Sequence, residues 1–152
     1  MLFPRNFAKA IYMQMLEGGK DDITDANYPA STGYVDTNGY DHVCFLVGLD
    51  TIATPDFAVY KDTSATETAN IAAVSGASKT DVVTGDDGKW FTIEFPVAAL
   101  APTATLAFRY ITLKVSGTAG GDKANIWLFM YRSREVPVTQ HTNFLEAVIL
   151  GG

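Results

Sequence analysis

Few residues in this chain are of types that do chemistry, and their spacing decides what that chemistry can be. The histidines are His42 and His141, and the one cysteine is Cys44. A structural zinc site draws about four ligands from clustered Cys and His pairs, so this inventory points away from one. Nucleophilic catalysis needs a Ser or Cys beside a base and an orienting acid. No G-x-S-x-G occurs, and no local Cys-His signature is present. Glu17, Glu67, Glu94, Glu135 and Glu146 are the glutamates from which a glycosidase pair could be drawn. Only Glu94 sits squarely in a strand-like run, where it shares a face with Trp90. That pairing suits a sugar-binding surface, although aromatic stripes on sheets more often belong to a core or an interface.

Acidic clusters raise a second chemistry, the binding of hard cations by grouped carboxylate and amide oxygens. Asp36, Asn38 and Asp41 form D-x-N-G-x-D, whose glycine is misplaced for an EF-hand. Asp21, Asp22 and Asp25 form D-D-x-x-D, and Asp86-Asp87 is flanked by glycines. Asn-Gly ahead of a strand reads as a tight turn, and the other clusters read as solvated acidic loops. No glycine-rich loop leads into a helix, so no nucleotide site is indicated. Neither a cofactor nor a metal is expected, and the chain is read as non-enzymatic.

The elements that must position these residues follow a β pattern. Val43 to Leu49 is a strand in which both alternate sets of side chains are largely apolar. Phe57 to Tyr60 is a short strand after Pro55, and Lys61 to Thr68 reads as a loop. Ile71 to Val74 and Asp81 to Thr84 are weaker strands joined by Ser75-Gly76-Ala77-Ser78. D-V-V-T-G-D-D-G-K-W-F-T-I-E-F reads as a hairpin, because Asp-Gly between β runs is a turn signal. Within it Phe91, Ile93 and Phe95 face one way, and Pro96 ends the strand. Leu106 to Val115 is longer, with Ile111, Leu113 and Val115 on one face and Thr112 and Lys114 on the other. In Ala124 to Arg132, Ile126, Leu128 and Met130 oppose Trp127, Phe129 and Tyr131. Val136 to Val138 is a last short strand. About eight strands at this spacing predict an all-β, antiparallel, jelly-roll-like sandwich.

Three segments follow. Residues 1–20 form an N-terminal arm with a first strand, 21–138 the sandwich, and 139–152 an apolar C-terminal tail. For the arm, the propensities of Lys, Gln, Met and Leu favour a helix. Its place ahead of a β domain favours an extended strand, in which Ile11, Met13 and Met15 share a face, and the strand is expected. Glu17 to Gly33 reads as a loop.

With 152 residues, 47% of them hydrophobic and 12% aromatic, the chain is long enough to bury a core. A net charge of −6, with its eleven basic residues dispersed, argues against nucleic-acid binding. No apolar run approaches the length of about 18 residues that spans a membrane, and Lys9 interrupts any signal-peptide core. Synthesis in a reducing cytoplasm is expected. The peculiarity is apolar excess. Phe3, Phe7 and Tyr12 lie at the start, Trp127 and Phe129 in the most apolar strand, and Phe144, Leu145, Val148, Ile149 and Leu150 at the end. Each large apolar side chain contributes about 1.5–3 kcal/mol when fully buried. One small sandwich has one interior, so these ten residues are the expected contacts with other chains.

V-D-T-N-G-Y-D-H-V-C-F-L-V-G-L, from Val35 to Leu49, resembles the opening of small β-sandwich structural proteins of tailed bacteriophages. Arg109-Tyr110-Ile111-Thr112-Leu113 resembles their R-Y-[IV]-x-[LV] strand, and Arg132 to Pro137 resembles their closing R…P segment. Asp87-Gly88-Lys89-Trp90 approximates their D-G-x-x-[WF]. The resemblance covers roughly residues 35–138; the N-terminal arm and C-terminal tail depart from it. It implies a capsid decoration, or cement, protein on the outer surface of the virion head. Such a protein bridges neighbouring major capsid proteins, as a homo-oligomeric dimer or trimer, with no nucleic-acid or membrane partner. The alternatives are a carbohydrate- or receptor-binding module of a phage tail or fibre, with Trp90 or Trp127 exposed in a groove, and a small hydrolase with a carboxylate pair in a cleft.

Overall fold

The computed structural model describes residues 11–17, 22–131 and 144–149. Ten strand segments are present: β1 Ile11–Glu17, β2 Ala26–Tyr28, β3 Val35–Asp36, β4 His42–Leu49, β5 Asp56–Asp62, β6 Ala72–Lys79, β7 Trp90–Pro96, β8 Tyr110–Ser116, β9 Ala124–Tyr131 and β10 Phe144–Ile149. They make two sheets. The first runs β1-β9-β4-β7-β10 and the second β2-β8-β5-β6, with β3 also on β8. Since β2 and β3 pair successive parts of β8, they act as one interrupted strand.

The antiparallel pairings are nested. β5 pairs β6, β4 pairs β7, β2 and β3 pair β8, and β1 pairs β9. Alternate pairs of the nest fall in opposite sheets. An eight-stranded antiparallel ribbon folded at its middle and wrapped into two sheets is the jelly roll. β10 stands outside the nest and pairs β7 in parallel.

Period-two alternation builds the interior. Val43, Phe45 and Val47 of β4, Phe91, Ile93 and Phe95 of β7, and Ile126, Leu128 and Met130 of β9 are all fully buried. They meet Phe57 and Val59 of β5 and Ile111, Leu113 and Val115 of β8, which are equally buried. Phe57 and Phe91 cross the interior edge to face, ring centres 5.2 Å apart. The strand expected in the arm is β1, and it packs Tyr12 and Leu16 against this core.

Several expectations need correction. Ile71–Val74 and Asp81–Thr84 are not two strands; Ala72–Lys79 is one, and it carries Ser75-Gly76-Ala77-Ser78 inside it. Tyr60 lies opposite Ala73 and Ala58 opposite Ser78, so the extra residues bulge out, with Gly76 at φ 77°. A bulge uses the same left-handed glycine as a turn, which is why the sequence resembled a turn. The segment around Gly85 to Gly88 is not a hairpin either, because β6 and β7 belong to different sheets. A 3-10 turn, Thr84–Asp86, makes the crossing. Gly88 does take a positive φ, 73°.

β8 starts at Tyr110 rather than Leu106, whose N–H donates to Thr103 Oγ1 at 2.9 Å. Thr112 points away from the core yet is buried, donating to the Pro29 carbonyl at 2.9 Å. β5 is longer than expected and takes Lys61 and Asp62 from the loop. The stretch from Glu17 to Gly33 contains β2, and the C-terminal tail contributes β10. The strand expected over Val136 to Val138 lies outside the described residues, as do Phe3, Phe7, His141 and Leu150.

Phe45 sits mid-strand at the centre of the first sheet with no exposed surface. Phe45→Ala is expected to cost about 3–5 kcal/mol. Urea unfolding should show a lower midpoint with an unchanged slope.

Candidate functional site

The residues that alternate with the core on β1, β9, β4 and β7 make the outer face of the first sheet. Strand register arranges them in rows. Asn125, Gly48 and Trp90 form the top row. Below it lie Met15, Trp127, Leu46 and Thr92, then Met13, Phe129, Cys44 and Glu94. Tyr131 and His42 lie level at the bottom. The two middle rows are dominated by Met, Trp, Phe, Leu and Cys. Met13 is 62% exposed and Met15 53%. Trp127 and Phe129 stack, their rings 6.5 Å apart and 21° from parallel.

The second sheet presents a different outer face. There Lys114 Nζ lies over the Tyr60 ring at 5.2 Å, and Thr112 is capped by Pro29. Of the large apolar side chains more than half exposed among the described residues, Met13 and Met15 stand on the first sheet's outer face and Val83 lies in the crossing before β7. Phe129 and Trp127 stand on the face for which partner contact was expected. Tyr12 does not: it lies level with Met130 on the core side of β1, its ring 6.2 Å from Tyr40. Phe144, Leu145, Val148 and Ile149 lie in β10 at the sheet edge. Met13, Met15 and Leu46 share that face and were not among the residues singled out from the sequence. The signal for the methionines was the strand reading of β1, which already put them on one face.

At the top of the face is an open groove of about 380 Å³, lined by Leu46, Gly48, Trp90, Asn125 and Trp127. Gly48 lies level with Trp90 on one side and Asn125 on the other. A Cβ added there meets Asn125 Cβ at 3.9 Å, an ordinary contact. The absent side chain is thus what keeps the floor low.

The opposite corner is polar. The Tyr131 hydroxyl donates to Glu94 Oε1, and His42 stacks on Tyr131 with ring centres 5.4 Å apart. Burial raises the Glu94 carboxyl above its ordinary range, against the pull of His42. Burial, reinforced by the charge of Glu94, pushes the Cys44 thiol up to about 12. A thiol held protonated across the physiological range is a poor nucleophile.

The acidic loops hold the chain rather than meeting solvent alone. Asp25 accepts from the Thr118 N–H at 2.8 Å and its hydroxyl at 2.7 Å. Asp62, fully buried, accepts from the N–H groups of Thr63 and Thr68 and from the Thr68 hydroxyl. Burial pushes its carboxyl up, but these donors outweigh burial and hold it low. Asp86 accepts from Val83 N–H and Lys89, Asp87 from Ile52 N–H, and Asp122 from Ala53 and Ala119 N–H. Among the described residues, no three His, Cys, Asp or Glu side chains converge as a metal site.

The two best motifs of the resemblance touch each other. Val35 and Asp36 pair with Ile111 and Tyr110. The Asp36 carboxylate receives Arg109 in a fork, Nε at 2.9 Å, and its Oδ1 also accepts the Asn38 N–H. Both the N–H and the hydroxyl of Thr37 donate to the Arg109 carbonyl at 2.8 Å. V-D-T-N-G-Y and R-Y-I-T-L are thus two halves of one structural clasp. No family model matches the chain, and neither a curated protein nor a solved structure matches it.

Glu94 sets a pH signature. A carboxyl whose folded pKa is raised binds more protons folded than unfolded, so its contribution falls as pH rises above its ordinary value of 4.5. Asp25, Asp36, Asp62, Asp81 and Asp86, all held low, act oppositely and lose stability as pH falls. Relative to Glu94→Gln, the wild type should therefore lose stability as pH rises from the ordinary glutamate range towards neutrality. Chemical denaturation of both proteins across that range measures the difference.

Proposed function

We propose that this chain is a non-enzymatic structural protein of a tailed-phage virion, a decoration protein that docks on the outside of the head. The observation that carries the reading is the apolar outer face of the first sheet, with Met13 and Met15 more than half exposed beside Trp127 and Phe129. A sandwich has no second interior for such a face, and contiguous apolar surface of this kind marks a protein interaction site. Methionine and aromatic residues suit interface cores, where their flexible or broad surfaces fit a partner. The clasp between Val35–Asp36 and Arg109–Tyr110 stiffens the sandwich without a disulfide. Around a symmetric shell, one modest contact repeated many times gains through effective concentration. The partners are then neighbouring major capsid proteins and further copies of the chain, and the site of action is the outer capsid surface. A net charge of −6 keeps the protein off the packaged nucleic acid.

The groove between Trp90 and Trp127 favours a second reading, a carbohydrate-binding module. Indole faces stack on sugar rings, and Asn125 supplies an amide at the rim.

Two measurements separate these readings. Met13→Glu combined with Met15→Glu should leave folding intact, since both side chains are exposed, and should abolish binding to undecorated heads in a sedimentation assay. In purified virions a band at 16.4 kDa should be present; its absence overturns the decoration reading. Under the second reading, the isolated chain binds glycans with a change in tryptophan fluorescence, and Trp90→Ala and Trp127→Ala each abolish binding.

A further inference from the structure

β10 differs from every other described strand. It alone is paired in parallel, and it lies at the sheet edge outside the nested pairs. β9 is antiparallel to β4, β4 to β7, and β7 is parallel to β10, so β9 and β10 run the same way. The chain leaves β9 at Tyr131, level with His42 and, through it, Pro96. It enters β10 at Phe144, level with Trp90 at the other end of β7. Residues 132–143, twelve in all, join these points.

The distance to be covered is roughly 25 Å, from a strand length at about 3.3 Å per residue and three strand spacings of about 4.8 Å. Twelve residues reach at most about 45 Å. Twelve residues therefore exceed what closure within one chain requires. Wrapping of the jelly roll is complete at β9, so β10 is not needed to close it. Without β10, β7 presents a row of unpaired N–H and C=O groups, a template for an added strand.

We propose that β10 is an exchangeable strand, and that β7 of one copy accepts residues 144–149 of a second copy. Closed and exchanged forms make the same backbone pairing, so local concentration decides between them. Copies held side by side become linked, edge to edge, through their C-termini. The inference is independent of what surface, if any, carries those copies.

Disulfide trapping tests it on the full-length chain. Thr92 and Ala147 are register partners, and paired Cα atoms in a sheet lie within disulfide range. In a Cys44→Ser background, Thr92→Cys and Ala147→Cys are made separately, mixed, refolded together and oxidised. A disulfide-linked dimer that increases with protein concentration is expected. The double variant in one chain serves as the closed-form reference. As a collision control, Ala104→Cys, on an exposed loop, replaces Ala147→Cys. Where a variant folds poorly by circular dichroism, Glu94→Cys with Ile149→Cys reads the same register. A mixture that stays monomeric while the double variant cross-links within one chain overturns the proposal. So does equal dimer formation with the control, or failure of both the mixture and the double variant to cross-link.

Discussion

The rest of this structure depends on one constraint: side chains alternate across a strand, and a two-sheet sandwich has a single interior. β4, β7 and β9 each commit one set of side chains to that interior, and ten of these, Ala124 among them, are fully buried. The other set must face outward whatever its chemistry. In β9 that set is Trp127, Phe129 and Tyr131, and β1 lays Met13 and Met15 level with the first two. The apolar face is thus a geometric consequence of pairing, not a failure of burial.

Loops are handled by a different interaction. Six aspartates, at 25, 36, 62, 86, 87 and 122, accept hydrogen bonds from backbone N–H groups in loops and turns. A buried N–H left without a partner is costly; Asp62 and Asp122 each satisfy two backbone N–H groups and the other four satisfy one each. These six carboxylates are occupied by the protein's own donors.

Parts of the fold were legible because their signals are local. Alternation in Phe91–Phe95 and Ile126–Met130 separated the buried set correctly, and Pro96 ended its strand; in Val43–Val47 both sets are apolar, so phase alone did not say which one is buried. The Ser75–Ser78 bulge was illegible, since a bulge and a turn use the same residues. The crossing at Gly85–Gly88 was illegible for a related reason. Asp-Gly reports a backbone bend, and says nothing about whether the next strand joins the same sheet. Of the outward face, Trp127 and Phe129 could be named from their phase alone. Leu46 and the methionines joined them only when register brought β1, β9 and β4 together.

What the sequence by itself determined is periodic: an all-β chain and, in its clearest strands, which positions are buried. These follow from residue type and a repeat of two, which are properties of neighbours along the chain. What only the tertiary structure decided is which strands pair, that Asp36 meets Arg109 across the fold, that Tyr12 turns inward while Met13 and Met15 turn outward, and that β10 runs parallel along β7. Those are relations between residues far apart in sequence. They are fixed by nested pairing around a shared core, which no local signal encodes.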